Sequence, residues 1–254
     1  MGLSIGVIVL ASSIVFFAGI AQGLTGFGFA LVAAPALLLM LPPRSVVALN
    51  LLLGAFIGVV LAVQSSRHIN ISRVAFLFVA SIPGSLMGLY LVQMVDASVL
   101  KVFISSAVAA TAIPLYLGYS RSFKQEKVSF AASGLISGVL STTTSLSGPP
   151  VVLLLVNQGW GKEALRATVS TYLLVSSAVG IGLLATVGAY GEGVLSMGMG
   201  LVPATLLGYL VGVKLLPKMR GETFRKIVTL VVVVAGLSAA VSGLWEVIAS
   251  RLAS

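Results

Sequence analysis

The stretch Ser141-Thr142-Thr143-Thr144-Ser145-Leu146-Ser147-Gly148-Pro149-Pro150 decides how this chain folds. Seven of the eight positions from Ser141 to Gly148 are hydroxyl residues or glycine, and a proline pair follows. Apolar runs flank the break, over 128–144 and over 146–156. Hydroxyls, glycines and prolines are what a chain needs to interrupt a helix. Broken backbone between runs this apolar implies a break inside a membrane, where it survives only if protein buries it or it lines a wet cavity. Segment 146–156 is too short to cross a bilayer unaided, since a crossing takes about 20 apolar residues. The hairpin is expected to be re-entrant.

Outward from this hairpin the chain is almost wholly apolar. Further membrane segments are expected over 3–21, 24–41, 45–63, 74–95, 99–119, 165–189, 194–216 and 224–248. Segment 3–21 lacks the basic start of a signal peptide and exceeds its usual apolar length, so it reads as the first membrane segment. Of the 254 residues, 58% are hydrophobic and only 8% are charged. A soluble domain carries about 25% charged residues to cover its surface. Lipid must be the outer solvent here.

A second break stands early in the chain: Gln22-Gly23-Leu24-Thr25-Gly26-Phe27-Gly28. At an offset of 119, Gly19, Thr25, Val32 and Ala48 fall on Gly138, Thr144, Val151 and Ala167. At an offset of 120, the run Ile82 to Gly88 falls on Val202 to Gly208, with Pro83 on Pro203. The shared order of these matches points to a tandem repeat, 1–119 and 128–250, within one transporter domain over 1–254. The expected fold is an all-α polytopic membrane protein of about eight to ten segments. It comprises two inverted-topology repeats, each a helical hairpin plus three transmembrane helices. Whether the first hairpin is re-entrant or makes two full crossings is open, since 3–21 and 24–41 are each long enough to span.

Loop charge orients the chain. With a re-entrant second hairpin, twelve of the fifteen basic residues share one side. They are Arg67, Arg73, Arg121, Lys124, Lys127, Lys162, Arg166, Lys214, Lys218, Arg220, Arg225 and Lys226. The positive-inside rule makes that side cytoplasmic, leaving Arg44, Lys101 and Arg251 outside. The expected location is the cell (inner) membrane.

The two tips carry the chemistry. After each break the following half-helix turns free N–H groups and a positive dipole end toward the gap. Hydroxyls of Thr25, Thr142, Thr143, Thr144, Ser145 and Ser147 add donors without charge. Gly26, Gly28 and Gly148 let backbone approach a ligand, Phe27 lies within the first tip, and Gln22 offers an amide. The proline pair fits the first turn of a helix, where an N–H is not needed. Together these suit a small anion held near the midplane. Asn50 and Ser170 are candidate polar wall residues, as is Thr171, although hydroxyls bonded back to their own helix account for the last two equally well. Arg44 and Arg166 stand just after the hairpins, where each can draw an anion or simply snorkel to the interface. The pairs Gly54/Gly58, Gly84/Gly88 and Gly208/Gly212 have the spacing of close helix packing.

Other chemistries are excluded or disfavoured. The net charge of +9 is spread through loops, not gathered on one face, so no nucleic-acid partner is expected. The chain has no cysteine, which removes disulfides and thiol catalysis. His68 lies among Arg67, Asn70 and Arg73 and reads as a loop residue, not a metal ligand. All six acids, Asp96, Glu126, Glu163, Glu192, Glu222 and Glu246, sit in breaks or near helix ends. No buried proton relay and no acid/base pair can be built from them. No enzyme activity, metal or cofactor is expected. Gly26-Phe27-Gly28-Phe29-Ala30-Leu31 matches part of a dinucleotide fingerprint, but Leu31 replaces its last small residue and no strand precedes it.

The Gly-x-Thr-Gly-Phe-Gly tip with its apolar run and Pro (Gly23 to Pro35), the second Ser/Gly-rich tip (Ser141 to Pro150) and the repeated Pro-x4-Gly helices resemble the TauE/SafE sulfite exporter family, also called the toluenesulfonate uptake permeases. The resemblance covers essentially the whole chain. It implies secondary transport of small sulfur-containing anions such as sulfite, sulfoacetate or other organosulfonates, most often outward. Family members often carry several glycines where this chain has Thr143-Thr144-Ser145-Leu146-Ser147, so its site is richer in hydroxyls. The expected partners are the small anion and the lipid bilayer; a homodimer is an analogy from other membrane carriers. A passive anion channel and a non-transporting scaffold subunit are the alternative functions.

Overall fold

A computed structural model describes residues 5–64, 69–117, 126–191 and 193–215. The expected segment 224–248, His68 and the basic residues Arg67, Arg121, Lys124, Lys218, Arg220, Arg225, Lys226 and Arg251 lie outside them. The described residues form α-helices and no strand. Helices α1 (Ile5–Thr25) and α2 (Phe29–Leu37) make the first hairpin, and α3 (Pro43–Gln64), α4 (Ile71–Met94) and α5 (Ala97–Leu117) follow. Helices α6 (Glu126–Thr144) and α7 (Gly148–Asn157) make the second hairpin, with α8 (Lys162–Thr186) and α9 (Val194–Leu215) after it. Five of them, α1, α3, α4, α8 and α9, are long and apolar enough to cross a membrane. The chain is a polytopic membrane protein.

Solvent preference is inverted relative to a soluble fold. Phe17, Val79, Leu86, Tyr90 and Met94 face outward, while Ser137, Ser141, Thr142, Thr144 and Thr168 are fully buried. Hydroxyls are tolerated inside because they bond back to helix carbonyls or to one another.

The first hairpin resolves the alternative that the sequence leaves open. Helix α2 has nine residues, roughly 14 Å at 1.5 Å per residue, too little to cross. The sequence reading of 24–41 as one membrane segment fails because Gly26 to Gly28 break the chain before the helix starts, and it ends at Leu37 before the turn at 38–41. Ile8, near the start of α1, lines the same space as Leu41, Pro42 and Arg44, beyond α2. The first hairpin therefore returns to the end it came from. The second does the same at the opposite end of α3: Arg73 pairs with Glu126 at the start of α6, and Ile69 and Trp160 pack on one apolar cluster.

Long helices pack in two close pairs, α1 on α9 and α4 on α6. Both contacts need glycine because the backbones touch. A Cβ on Gly208 would collide with the Phe16 carbonyl, and one on Gly84 with the Leu135 carbonyl. Likewise Gly19 faces the Thr205 carbonyl and Gly138 the Ser81 carbonyl. These contacts put α6 at an offset of 119 from α1, as the sequence match has it, but put α9 at an offset of 124 from α4. The sequence match of Pro83 with Pro203 is thus one helical turn out of step with the packing.

Candidate functional site

Each tip is a self-capped break. In the first, Thr25 Oγ1 donates to the Ala21 carbonyl (2.8 Å) and accepts from the N–H groups of Phe27 (3.2 Å) and Gly28 (2.9 Å). Gly26 takes φ +86°, in the left-handed region that glycine enters freely. Gln22 spans the break, with Nε2 donating to the Gly26 carbonyl and Oε1 accepting from Phe29 N–H, both at 2.9 Å. In the second, Thr144 Oγ1 donates to the Leu140 carbonyl (2.7 Å) and accepts from Leu146 N–H (3.2 Å). Ser145, the counterpart of Gly26, takes φ +61°. It is the one non-glycine residue with positive φ among those described, a strain of order 1 kcal/mol.

These caps have an electrostatic consequence. The carbonyl ends of α1 and α6 are partly tied off: Gln22 by Gly26 N–H (2.7 Å), Gly23 by Arg166 Nη2 (2.6 Å), and Ser141 by Ser145 N–H (3.0 Å). At the start of α2, Thr25 Oγ1 and Gln22 Oε1 already take the N–H groups of Gly28 and Phe29, whereas Ser147 does not cap the start of α7. The N–H groups of Ala30 and Leu31 have no acceptor within the helix, as for any helix start. In α7 the second and third positions are Pro149 and Pro150, so its first turn offers Gly148 N–H alone. The supply of backbone donors is thus weighted toward the first tip, whereas the sequence reading gave both tips equal weight.

The tips meet. A Cβ on Gly148 would stand 3.1 Å from Phe27 Cβ. Between them is a cavity of about 30 Å³ lined by Gln22, Phe27, Phe29, Ala30, Asn50, Leu51, Gly54, Ser145 to Pro149, Leu173 and Ser177. That volume holds on the order of two water molecules, the scale of a bare oxyanion head group.

Of the residues singled out from sequence, Gln22, Phe27, Asn50, Ser145, Ser147 and Gly148 line the cavity. Thr25, Gly26, Gly28 and Thr144 build the breaks behind it. Thr142 donates to the Ser85 carbonyl (3.1 Å) and Thr143 to the Val139 carbonyl (2.7 Å). Ser170 and Thr171 both bond back to the Ala167 carbonyl. Arg166 lies behind the first tip: Nη2 donates to the Gly23 carbonyl (2.6 Å), and its stem covers Gly26. Ser177 and Gly54 were not among the sequence candidates. Ser177 follows Ser170 by seven residues, which is two turns along one helix face, and that spacing is a signal that could have found it.

A second, larger space of about 660 Å³ opens at the Arg44 end, lined by Arg44, Ser45, Leu49, Ser196 and Leu201 among others. Arg44 Nη2 there donates to the Val92 carbonyl (2.9 Å). Tyr190, between the lining residues Ala189 and Gly191, donates to the Ala48 carbonyl (3.2 Å), and burial pushes its hydroxyl pKa up, keeping it a neutral donor. The vestibule and the cavity share no lining residue, although Leu49 and Asn50 are neighbours. At the other end, Arg166 on Gly23 and Tyr209 on Gln64 (2.7 Å) bridge the helices.

The sequence model described as Sulfite exporter TauE/SafE matches residues 11–239. This chain belongs to the TauE/SafE sulfite exporter family. No curated protein and no solved structure matched it. Both broken tips and the nine helices of the described residues fall within or across the TauE/SafE match. Membership makes the chain a membrane protein of a transporter family, and its long apolar helices agree.

Proposed function

We propose that this chain is a secondary carrier of a small sulfur oxyanion, sulfite foremost, working by alternating access around the cavity between the two tips. The observation that carries the reading is the cavity's polarity: the half-helices α2 and α7 start at it, while the negative ends of their partners α1 and α6 are partly capped. No ionised side chain among the described residues lines it, so an anion is held by dipoles and hydrogen bonds, weakly enough to leave. Its small volume favours a compact oxyanion over a tailed sulfonate.

In this reading the two halves are inverted repeats. The exchanged pairs α1 on α9 and α4 on α6, and hairpins that enter from opposite ends, support it. The Arg166 end is cytoplasmic by the positive-inside rule, and the vestibule at Arg44 faces outward. The present state is closed at the cytoplasmic end, with the bond from Arg166 to Gly23 holding it. The lack of a shared wall between vestibule and cavity favours a carrier over a passive channel.

Thermal stability of the purified protein tests the site. A ligand at about a hundred times its dissociation constant adds about 2.7 kcal/mol to the folded state. Sulfite is expected to raise the melting temperature where chloride and sodium do not; equal shifts with all anions, or none, would remove the sulfur-oxyanion assignment.

A further inference from the structure

Asn50 is buried, 2% exposed, and lines the cavity, yet its Oδ1 has no hydrogen-bond partner. The surrounding network decides which amide atom faces the ligand. Ser145 Oγ donates its proton to the Thr144 carbonyl (2.5 Å), so it has only lone pairs to offer Asn50. The atom that meets it, at 3.1 Å, is therefore Nδ2. Oδ1 is left as a bare acceptor on a residue that lines the site.

A buried acceptor without a partner is costly, and an anion made only of acceptor oxygens would repel it. A cation would satisfy it, but only against the positive ends of α2 and α7. Those two ends are worth about half an elementary charge each, which together balance about one negative charge. Resting on the anion site above, we propose that the cavity selects a compact monoanion bearing one hydrogen-bond donor on its central atom, a protonated oxygen or an amino group, and that Asn50 Oδ1 accepts from that donor. The α2 and Gly148 N–H groups hold the remaining oxygens. Asn50 is then the residue that separates singly protonated oxyanions from fully deprotonated or alkylated ones.

Sulfamate and methanesulfonate make the test, since both are permanent monoanions with the same number of heavy atoms. They differ in carrying an amino or a methyl group. Binding is read by thermal shift or calorimetry on the purified full chain at one pH. Wild type is expected to bind sulfamate about tenfold more tightly, the effect of leaving one buried acceptor unpaired. Asn50→Leu should bring the two within about twofold, by weakening sulfamate alone. Should that variant not fold, Ser145→Ala frees the amide to turn over and should erase the preference in the same way. Equal binding of the two anions by wild type overturns the proposal alone. Equal weakening of both in Asn50→Leu overturns it too, because the amide would then be donating to the ligand. Binding of neither anion overturns it together with the anion site on which it rests.

Discussion

Asn50 on α3 donates its side-chain N–H to the hydroxyl of Ser145 at the second tip, 3.1 Å away and 95 residues on in sequence. This bond ties a helix of the first half to the broken hairpin of the second. It also joins a residue of the cavity wall to the one strained non-glycine residue among those described. Perturbing Ser145 should therefore act on structure and on ligand together.

Substitutions at Ser145 separate the two effects. Ser145→Gly removes the backbone strain and should leave the melting temperature within a few degrees of wild type, the gain of order 1 kcal/mol offsetting the lost hydrogen bond. Ser145→Val places a β-branched side chain at φ +61° and should lower stability by about 2 kcal/mol or more. Melting curves of the two variants that coincide would show that this backbone geometry is not maintained in the membrane.

The caps at Thr25 and Thr144 predict a matched pair of losses. Thr25→Val leaves Phe27 and Gly28 N–H without their acceptor, and Thr144→Val does the same to Leu146. Each should cost about 1 kcal/mol and reduce transport, and Thr→Ser at either position should restore both. Full transport by both valine variants would mean that the tips need no capping to hold the site.

Glycine packing gives a contrast within one chain. Gly138→Ala drives a methyl into the Ser81 carbonyl and Gly208→Ala drives one into the Phe16 carbonyl; each should destabilise by about 1–3 kcal/mol. Gly182→Ala meets nothing within 4 Å and should be neutral or stabilising by about 0.5–1 kcal/mol. Thermal melts of the three variants check the order, and indifference at Gly138 would contradict the α4 to α6 contact.

Arg166→Ala should loosen the end of the molecule opposite the vestibule. The chain has no cysteine, so a single Ser170→Cys, buried one turn from Arg166, reports opening without background. Its labelling by a water-soluble maleimide should speed up by about tenfold when the bond to Gly23 is lost. An unchanged rate would show that this bond does not hold the end closed.

The membrane class and the two breaks were legible in the residues, because composition and turn chemistry are local properties. The direction of each hydroxyl was not. Thr142, Thr143 and Thr144 follow one another on a helix, so they point about 100° apart and none of them lines the cavity. The register of α4 against α9 was hidden for another reason. Small residues recur every four positions around Gly84, Gly88, Gly208 and Gly212, so a slip of one turn still puts small on small. Asn50 was found by its polarity in an apolar segment, but its partner at Ser145 lay too far along the chain to be read.

Counterflow in proteoliposomes tests the central claim most directly. Vesicles of purified protein, loaded with unlabelled sulfite and diluted into trace labelled sulfite, should show a transient overshoot of label above equilibrium. The overshoot should be lost in Gly54→Leu, where the backbone has room for a side chain, its nearest neighbour being Ser177 Oγ at 3.9 Å, and the leucine fills the cavity. Uptake that rises to equilibrium without an overshoot would mean a channel, and flux no greater than in empty vesicles, or unchanged in Gly54→Leu, would contradict an anion carrier built around these two tips.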